Sequence, residues 1–332
     1  MTPQDVKLIG QRLPKEMIFP YFADRESAWV LAACMPETAR VGALRKTPFG
    51  KLLDRPALRA LVARCGGVLH RDDVLAVAYA DQTMGRVTLG PVATAGVEAV
   101  FGETWHDFCL SFDIWGDRRR WYDQTTRQNA NLVVQMGFPS DHAALMGRYL
   151  QEGARKDFEW DGHPIRTSGR PTLAWARLDI DLEAREALVE EVQTDWLRNA
   201  GDEVAALRDN APRSRALAQM ERYESGLVDR YGKIWSRAML LAALMLLRDG
   251  LGVERVWMHQ PTPGKLLKRI HGVAPPRSLY TSLPRSFCFA PTRVRPGFLR
   301  HLPKKLTKTL PKDAPLFWQM DFDQRDGRID TV

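Results

Sequence analysis

The chain has 332 residues and carries 48 lysines and arginines against 40 aspartates and glutamates, which gives a formal net charge of +8. Hydrophobic residues make up 45% of it, enough to build a core in each of about two domains. Charged residues recur through the first twenty positions and the longest apolar run is 238–247, which excludes a usual secretory signal and a membrane-spanning helix. We therefore expect a cytoplasmic protein with no membrane contact.

The N-terminal half contains several segments with the pattern of regular elements. They are a helix over 54–66, strands over 108–114 and 131–136, and a short helix over 139–150. Asp54 and Gly66 are of the residue types that begin and end helices, and the apolar residues of 108–114 alternate strictly. A polar stretch that contains glycines follows. We place a soft domain boundary there, near residue 165, and predict a mixed α/β region over 1–165 whose role the sequence does not indicate.

The C-terminal half has the patterns of a second set of elements. They are strands over 172–180 and 187–196, one or two amphipathic helices over 198–230, an apolar helix over 233–248, a strand over 253–258, a short basic helix over 264–271 and a closing strand over 315–322. A helix that is apolar on nearly every side and is followed at once by a strand is typical of an α/β layer. The whole chain is therefore predicted to be an α+β protein, with an α/β domain over 166–332.

Residues 188–196, with the sequence LVEEVQTDW, resemble a motif of known proteins. The motif, EEIQSDW after an apolar strand, belongs to domains in large polyvalent proteins of phages and mobile elements. That family continues with a tryptophan-led apolar helix, a strand, and an aromatic-Tyr-Asp-x-x-x-Pro segment; here Trp235, the next strand and 279–284 follow in the same order. Thr281 stands where the family usually has Asp, so any role of that acid is lost. The resemblance covers about 172–290 and implies a mobile-element context, without a known reaction.

Residues 230–236 (RYGKIWS), followed by the apolar helix, resemble the phosphate-binding turn of the GNAT acyltransferase superfamily. That family has glycines in this turn because backbone amides at a helix N-terminus must approach a pyrophosphate closely. The resemblance implies a GNAT-like fold for 166–332 and an acetyl-CoA or related acyl-CoA cofactor. The cofactor contacts would come from Arg230, Gly232 and Lys233. The chain departs from the pattern in two ways: Trp235 takes the place of a glycine, and the connection before the turn is longer than in the family.

The polar residues of the 188–196 motif are candidate catalytic groups. Glu191, Gln193 and Asp195 would share one face of a strand, because side chains alternate along it. Two carboxylates on one face repel each other, and one could be raised in pKa to serve as a general base. We assign catalytic roles to Glu190, Glu191, Asp195 and Tyr280, the last as the counterpart of the GNAT tyrosine that protonates the departing thiolate. The structural alternatives are a solvated or salt-bridged strand face and a tyrosine that only packs.

The segment 260–312 holds twelve basic residues and no acidic residue, so the rest of the chain is slightly acidic. This asymmetry points to a polyanionic partner, either the phosphates of a CoA-type cofactor or a nucleic acid. Aromatic residues within the segment could stack on bases, and a solvated basic face is the structural alternative. The candidate phosphate-binding residues are Lys265, Lys268, Arg269, Arg285, Arg293 and Arg295.

Two functions from different classes follow from these patterns. The first is a GNAT-like transferase of phage or mobile-element descent that binds a phosphorylated cofactor or a nucleic acid. The alternative is a non-catalytic nucleic-acid-binding module that acts through 260–312, and a structural component of a mobile-element particle is a third possibility. The enzyme requires the four catalytic candidates around one pocket, whereas the module requires only exposed basic residues on a continuous face. Cysteines and histidines are dispersed, so no metal site is predicted.

Overall fold

The structure is a computed structural model that describes residues 1–79, 105–116, 124–127, 129–150, 158–159, 163, 169–270, 272, 275–302 and 304–322. Its strands are β1 Glu16–Tyr21, β2 Thr38–Arg40, β3 Val68–His70, β4 His106–Trp115, β5 Asn131–Gly137, β6 Thr172–Asp181, β7 Glu186–Gln193, β8 Arg255–His259, β9 Ala290–Thr292 and β10 Phe317–Asp321. Its helices are α1 Pro3–Arg12, α2 Arg25–Cys34, α3 Val41–Leu44, α4 Pro56–Arg64, α5 Arg71–Ala78, α6 His142–Tyr149, α7 Trp196–Asn210, α8 Arg215–Leu227, α9 Trp235–Met245, α10 Pro261–Leu267, α11 Ser282–Ser286 and α12 Lys304–Thr309.

Among the described residues, eight strands form one mixed sheet in the order β1-β4-β5-β6-β7-β8-β10-β9, and β2 pairs with β3 separately. Neighbours in the large sheet are antiparallel except β7 and β8, which are parallel and are joined through α7, α8 and α9. A parallel pair needs a crossover of this kind because both strands run in the same direction. The C-terminal ends of β7 and β8 therefore lie at the same edge of the sheet.

Two apolar clusters lie on the two faces of the sheet. Val189 and Val192 of β7 belong to the larger cluster, where α9 packs against β6, β7 and α2. Leu188 and, on β8, Trp257 belong to the smaller cluster, to which α10 contributes Leu267. Leu188 and Val189 therefore face opposite sides, as the alternation of a strand requires.

The predicted elements agree with the structure to within a few residues at most ends, and two of the differences bear on the site. The helix and the two strands expected in the N-terminal half are α4, β4 and β5. The strand predicted over 187–196 ends sooner, because α7 begins at Trp196. The basic helix predicted over 264–271 begins sooner, since Pro261 lies in its first turn, where the missing N–H of a proline breaks no helical hydrogen bond.

The α+β class is confirmed, since helices and one mixed sheet together make up the fold. Strands from both sides of residue 165 pair within that sheet, β5 with β6. The division into 1–165 and 166–332 and the GNAT-like assignment both stay predictions. No helix in the described part of the chain is long and apolar enough to cross a bilayer.

Candidate functional site

A β-bulge in β7 brings two consecutive carboxylates to the same face of the sheet. Leu178 of β6 lies opposite Val189, but Arg177 lies opposite Glu191, so Glu190 is an extra residue in the ladder. Glu190 bonds to His259 and Glu191 bonds to Arg177, both on the face of the sheet that carries Leu188. The valines on either side of the pair, at positions 189 and 192, remain in the larger core. The bulge explains how a Glu-Glu pair can act at one place, which strict alternation does not allow.

Glu190 is fully buried and its carboxylate is held by three hydrogen bonds. The backbone N–H and the hydroxyl of Thr126 donate to it at 2.9 and 2.8 Å, and His259 Nε2 lies 3.0 Å away. Burial raises the pKa of Glu190, but the hydrogen bond from His259 and the positive charge of Lys268 outweigh burial and hold this pKa well below its usual range. Glu190 is therefore an ionised acceptor in the folded protein.

Glu191 lies between two cations, and all three side chains are buried. Arg177 donates to its Oε2 at 2.5 Å, and the Lys268 ammonium is 3.6 Å from the same oxygen. Lys268 Nζ also donates to the backbone oxygen of Glu190 at 3.1 Å and to the hydroxyl of Tyr280 at 3.4 Å. Two carboxylates are thus balanced by one guanidinium and one ammonium, which is the condition under which charges tolerate burial.

Lys268 enters the sheet where the parallel pairing of β7 and β8 stops. The last registered pair is Val189 with Met258, although β7 continues to Gln193. The next carbonyl of β7, that of Glu190, accepts a hydrogen bond from the Lys268 ammonium. The chain returns to this point closely because Gly264 of α10 packs against His259, where a Cβ would lie 2.7 Å from the histidine Cβ.

Arg177, Glu190, Glu191 and Lys268 form a buried charge cluster, and a cleft of ≈ 280 Å³ opens above it. Lys268 and Tyr280, which are among the cleft's buried lining residues, form the floor, and Lys265 and Arg277 are exposed at its edge. Burial and the nearby charge of Glu191 raise the pKa of the Tyr280 hydroxyl well above its ordinary value, so the phenol stays protonated at neutral pH. The cleft therefore combines a proton donor and an ammonium at the bottom with positive charge at the mouth.

Asp195 follows the polar residues Glu190, Glu191 and Gln193 of β7 and lies in the turn before α7. Its Oδ2 accepts from Trp175 Nε1 at 2.9 Å and lies 2.8 Å from His163 Nδ1, and its Oδ1 accepts from Gln193 Nε2 at 2.8 Å. Arg198 completes the set with an ion pair. Burial raises the pKa of Asp195. The hydrogen bond and the charge of His163 lower it by more than burial raises it, so the pKa of Asp195 lies below its ordinary value.

The predicted cofactor turn does not lie at this cleft. Arg230 instead pairs with Asp141, just after β5, and its guanidinium lies 5.4 Å from the ring centroid of Tyr231. Neither Arg230 nor Gly232 lines the cleft above Lys268. Gly232 and Lys233 follow in the same turn.

The basic residues of 260–312 occupy different environments. Lys265, Arg269, Arg285 and Arg293 are exposed and Arg295 is partly exposed, whereas Lys268 is buried in the cluster. Arg285 lies 5.3 Å from the centre of the Trp318 ring, and Arg293 donates to the backbone oxygens of Pro311 and Ala314. Lys268 is therefore placed to act inside the cleft, and not on a surface that tracks a nucleic acid.

Four residues of the site were missed in the sequence. Arg177 and His259 had a usable signal, because a charged or polar side chain inside a strand of otherwise buried residues demands a partner. Thr126 and His163 lie outside regular elements, and nothing in their sequence neighbourhood distinguishes them. Within the described residues, no three His, Cys, Asp or Glu side chains are grouped so as to hold a metal ion.

Comparison with known proteins gives no match to any protein-family model, curated protein or solved structure. Geometry and chemistry of the cluster are therefore the basis for a functional assignment.

Proposed function

We propose that the chain is a GNAT-like transferase of mobile-element descent that binds a phosphorylated, CoA-type acyl carrier in the cleft above Lys268. The observation that carries the proposal is the floor of this cleft. An ammonium and a protonated phenol lie there 3.4 Å apart, next to two ionised carboxylates, and all four side chains are buried. Groups of this kind are more often found where a proton moves than where a surface only binds.

The chain order around the cleft supports the same assignment. A strand, a helical crossover, a parallel strand, a helix and a buried tyrosine follow one another as β7, α7 to α9, β8, α10 and Tyr280. The GNAT resemblance implies the order strand, phosphate-binding turn, helix, strand, helix, with a tyrosine near the last helix, so the strands, helices and tyrosine follow it and the turn is the part that differs. The phosphate contacts would come from the edge of the cleft, since Arg230 is engaged by Asp141.

The groups present have defined roles in acyl transfer. As the acceptor nucleophile forms a bond with the acyl carbon, the carbon–sulfur bond breaks and the thiolate takes the proton of the Tyr280 hydroxyl. The Lys268 ammonium, 3.4 Å from that oxygen, stabilises the phenolate that results. Lys265 and Arg277, exposed at the mouth, would bind the phosphates of the carrier through charge-assisted hydrogen bonds.

Calorimetric titration with CoA and acetyl-CoA tests the binding step. We expect Lys265→Gln with Arg277→Gln to weaken binding by roughly 100-fold, because each lost charge-assisted bond costs about 1.5 kcal/mol or more. The matched control is Arg293→Gln with Arg300→Gln, which removes the same charge from the same segment away from the cleft. Equal losses in both double variants would reduce the effect to general electrostatics.

Release of free CoA thiol from acetyl-CoA in the presence of primary amines tests the chemical step. Tyr280→Phe should keep the affinity for CoA and lower kcat by about 100-fold, since only the proton donor is removed. Turnover at the wild-type rate in this variant would contradict the role of Tyr280.

The second candidate function, a nucleic-acid-binding module, is favoured by the exposure of Lys265, Arg269, Arg285 and Arg293. Short single- and double-stranded oligonucleotides, added at low and high salt in a thermal-shift assay, distinguish it. Stabilisation that disappears at high salt, together with no response to CoA, would favour the module, because phosphate contacts release counterions. If neither CoA compounds nor oligonucleotides stabilise the protein, both proposed functions are contradicted.

A further inference from the structure

We propose that the acyl carrier is an acidic carrier protein, whose phosphopantetheine arm enters the cleft above Lys268 while its surface meets the cations around the mouth. The proposal rests on the transfer function above and names the partner of that same site. CoA and a carrier protein share the arm, its phosphate and its thioester. They differ in whether a nucleotide or a protein holds the phosphate.

The chemical step is the same with either carrier. The acyl group passes from sulfur to the acceptor amine, and the arm leaves as a thiol with the proton of the Tyr280 hydroxyl. The amine then gives its own proton to the Tyr280 oxygen, so the floor of the cleft returns to its starting state.

The cleft has room for the arm and little room for the rest of CoA. Its volume is ≈ 280 Å³, whereas clefts that enclose whole drug-sized ligands measure about 300 to 1,000 Å³. Pro261, Ile270 and Pro275 supply apolar wall for the aliphatic parts of the arm, and the polar floor is made by Lys268 and Tyr280. The nucleotide half of CoA would therefore remain outside the cleft.

At the mouth of the cleft, the described residues offer no ring on which an adenine or a nucleic-acid base could stack. Tyr280 is buried at the floor. Further along the basic segment, Phe287 and Phe289 are also buried, and the guanidinium of Arg127 lies 4.3 Å from the ring centroid of Phe298. Recognition of single-stranded nucleic acid without sequence preference relies on such stacking platforms. The mouth therefore suits a charged protein surface better than a nucleotide or a nucleic acid.

Three exposed cations at the mouth lack an acidic partner within the described part of the chain. Lys265 and Arg277 line the cleft, and Arg269 lies in the sequence between two further lining residues, Lys268 and Ile270. None of the three exposed cations forms an ion pair with a described residue. Exposed or partly exposed arginines on other surfaces of the protein are paired with carboxylates. Unneutralised charges around one opening attract a partner that brings the negative charge itself.

Arg269 is the residue that distinguishes the two carriers, because it is exposed beside the cleft but does not line it. The phosphate of either carrier would contact Lys265 and Arg277. Only a carrier that spreads over the surface around the mouth would also reach Arg269. Arg269→Glu is therefore the informative variant, and Arg300→Glu is its matched control, since Arg300 is exposed in the same basic segment and does not line the cleft.

Calorimetric titration at low salt with three probes tests the partner. The probes are CoA, the holo form of an acyl carrier protein of fatty-acid synthesis, and the apo form of the same protein, which lacks the arm. We expect the holo form to bind roughly tenfold more tightly than either CoA or the apo form, because arm and surface act together. Arg269→Glu should weaken binding of the holo form by about fivefold and leave CoA binding unchanged, while Arg300→Glu should change neither. High salt should remove the effect of Arg269→Glu, since salt screens exposed charges.

Three results would overturn the inference and leave the transferase function in place. They are binding of CoA without binding of the holo carrier protein, equal losses for both probes in Arg269→Glu, and binding of the apo form and of a short DNA duplex as tight as that of the holo form. The last would show that the mouth attracts any polyanion. Binding of neither CoA nor the holo carrier protein would instead contradict the transferase function itself.

Thiol release with a primary amine as acceptor gives the second measurement. The kcat/KM for the acetylated holo carrier protein should exceed that for acetyl-CoA by roughly tenfold through a lower KM, with a similar kcat, because the floor of the cleft is the same for both. Arg269→Glu should raise KM for the carrier protein alone, whereas Tyr280→Phe should lower kcat with both substrates. A higher kcat/KM for acetyl-CoA than for the acetylated carrier protein would overturn the choice of partner.

Discussion

At the scale of single residues, the distinctive feature is a buried group of four charges that sums to zero. Glu190 and Glu191 are matched by Arg177 and Lys268, and each has less than a tenth of its surface exposed. Charges in this state tolerate no single deletion, because the partner left behind remains buried and uncompensated. Such a group stabilises the fold only as a complete set.

Lys268→Met should therefore lower the free energy of unfolding by about 3–5 kcal/mol, since it leaves Glu191 with one cation and the Glu190 carbonyl without its donor. Lys265→Met, exposed on the same helix, should change it by about 0.5 kcal/mol or less. Adding Glu191→Gln to Lys268→Met should recover part of the loss. Chemical denaturation measures all three, and equal stability of the two lysine variants would show that Lys268 is not part of the charge balance.

A second residue-scale prediction concerns two histidines packed among aromatic rings, away from the cleft. Burial and the positive charge of Arg230 lower the pKa values of His106 and His142 to about 4 each. Between pH 6.5 and pH 4 the unfolded chain binds protons on these histidines and the folded protein does not. The stability that is present above pH 6.5 is therefore lost as the pH falls toward 4. The folded protein should therefore lose stability over this window.

The difference between wild type and His106→Phe isolates one of these groups from the carboxylates that titrate nearby. The ring of His106 is stacked against Phe108, and within the described part of the chain its Nδ1 has no hydrogen-bond partner, so phenylalanine keeps the packing. Between pH 6.5 and pH 4 we expect the free energy of unfolding of the variant to rise by about 3 kcal/mol relative to that of the wild type, by the usual 1.36 kcal/mol per pKa unit. Denaturation curves across that range measure it; His70→Gln, an exposed change, is the control.

At the scale of elements, the approach of α10 to the end of β8 decides whether the cluster assembles. Gly264→Ala would place a Cβ 2.7 Å from the Cβ of His259, so α10 or β8 must shift. We expect a loss of about 1–3 kcal/mol and a disturbed His259–Glu190 bond. At Gly201 in α7, an added Cβ would have no atom of another described residue outside its own helical turn within 4 Å, so Gly201→Ala should instead stabilise by about 0.5–1 kcal/mol. A lower Tm for Gly264→Ala together with a higher Tm for Gly201→Ala would confirm that close packing is the cause. An unchanged Tm for Gly264→Ala would contradict it.

The elements also show how far the sequence could predict the structure. β4 and α4 were predictable because their apolar periodicity and end signals are local. The carboxylates of β7 were predicted to be site residues from the sequence, yet the shared face of Glu190 and Glu191 depends on a bulge, which no period of two can indicate. Lys268 was grouped with surface lysines because the run around it is basic. Its burial follows from where the pairing of β7 and β8 ends, which is a tertiary fact.

At the scale of the whole molecule, one sheet and one main core join residues from both halves of the chain. β5 pairs with β6 from Leu132 to Gly137, and every residue of β6 except the last is buried. If 166–332 separated from 1–165, β6 would become an edge strand with a fully apolar face, which favours aggregation. The paired strands should therefore lose their structure together.

Differential scanning calorimetry should accordingly show one transition, with calorimetric and van 't Hoff enthalpies in agreement, because separating β5 from β6 exposes both faces of the central strands at once. Hydrogen exchange gives the same information residue by residue: amides of β5 and β6 should share one opening free energy. Two resolved transitions, with β5 exchanging independently of β6, would instead show that the predicted boundary near residue 165 separates two folding units. In that case the β5–β6 ladder would be an interface between domains, and Lys268→Met should lower only the transition that includes β7.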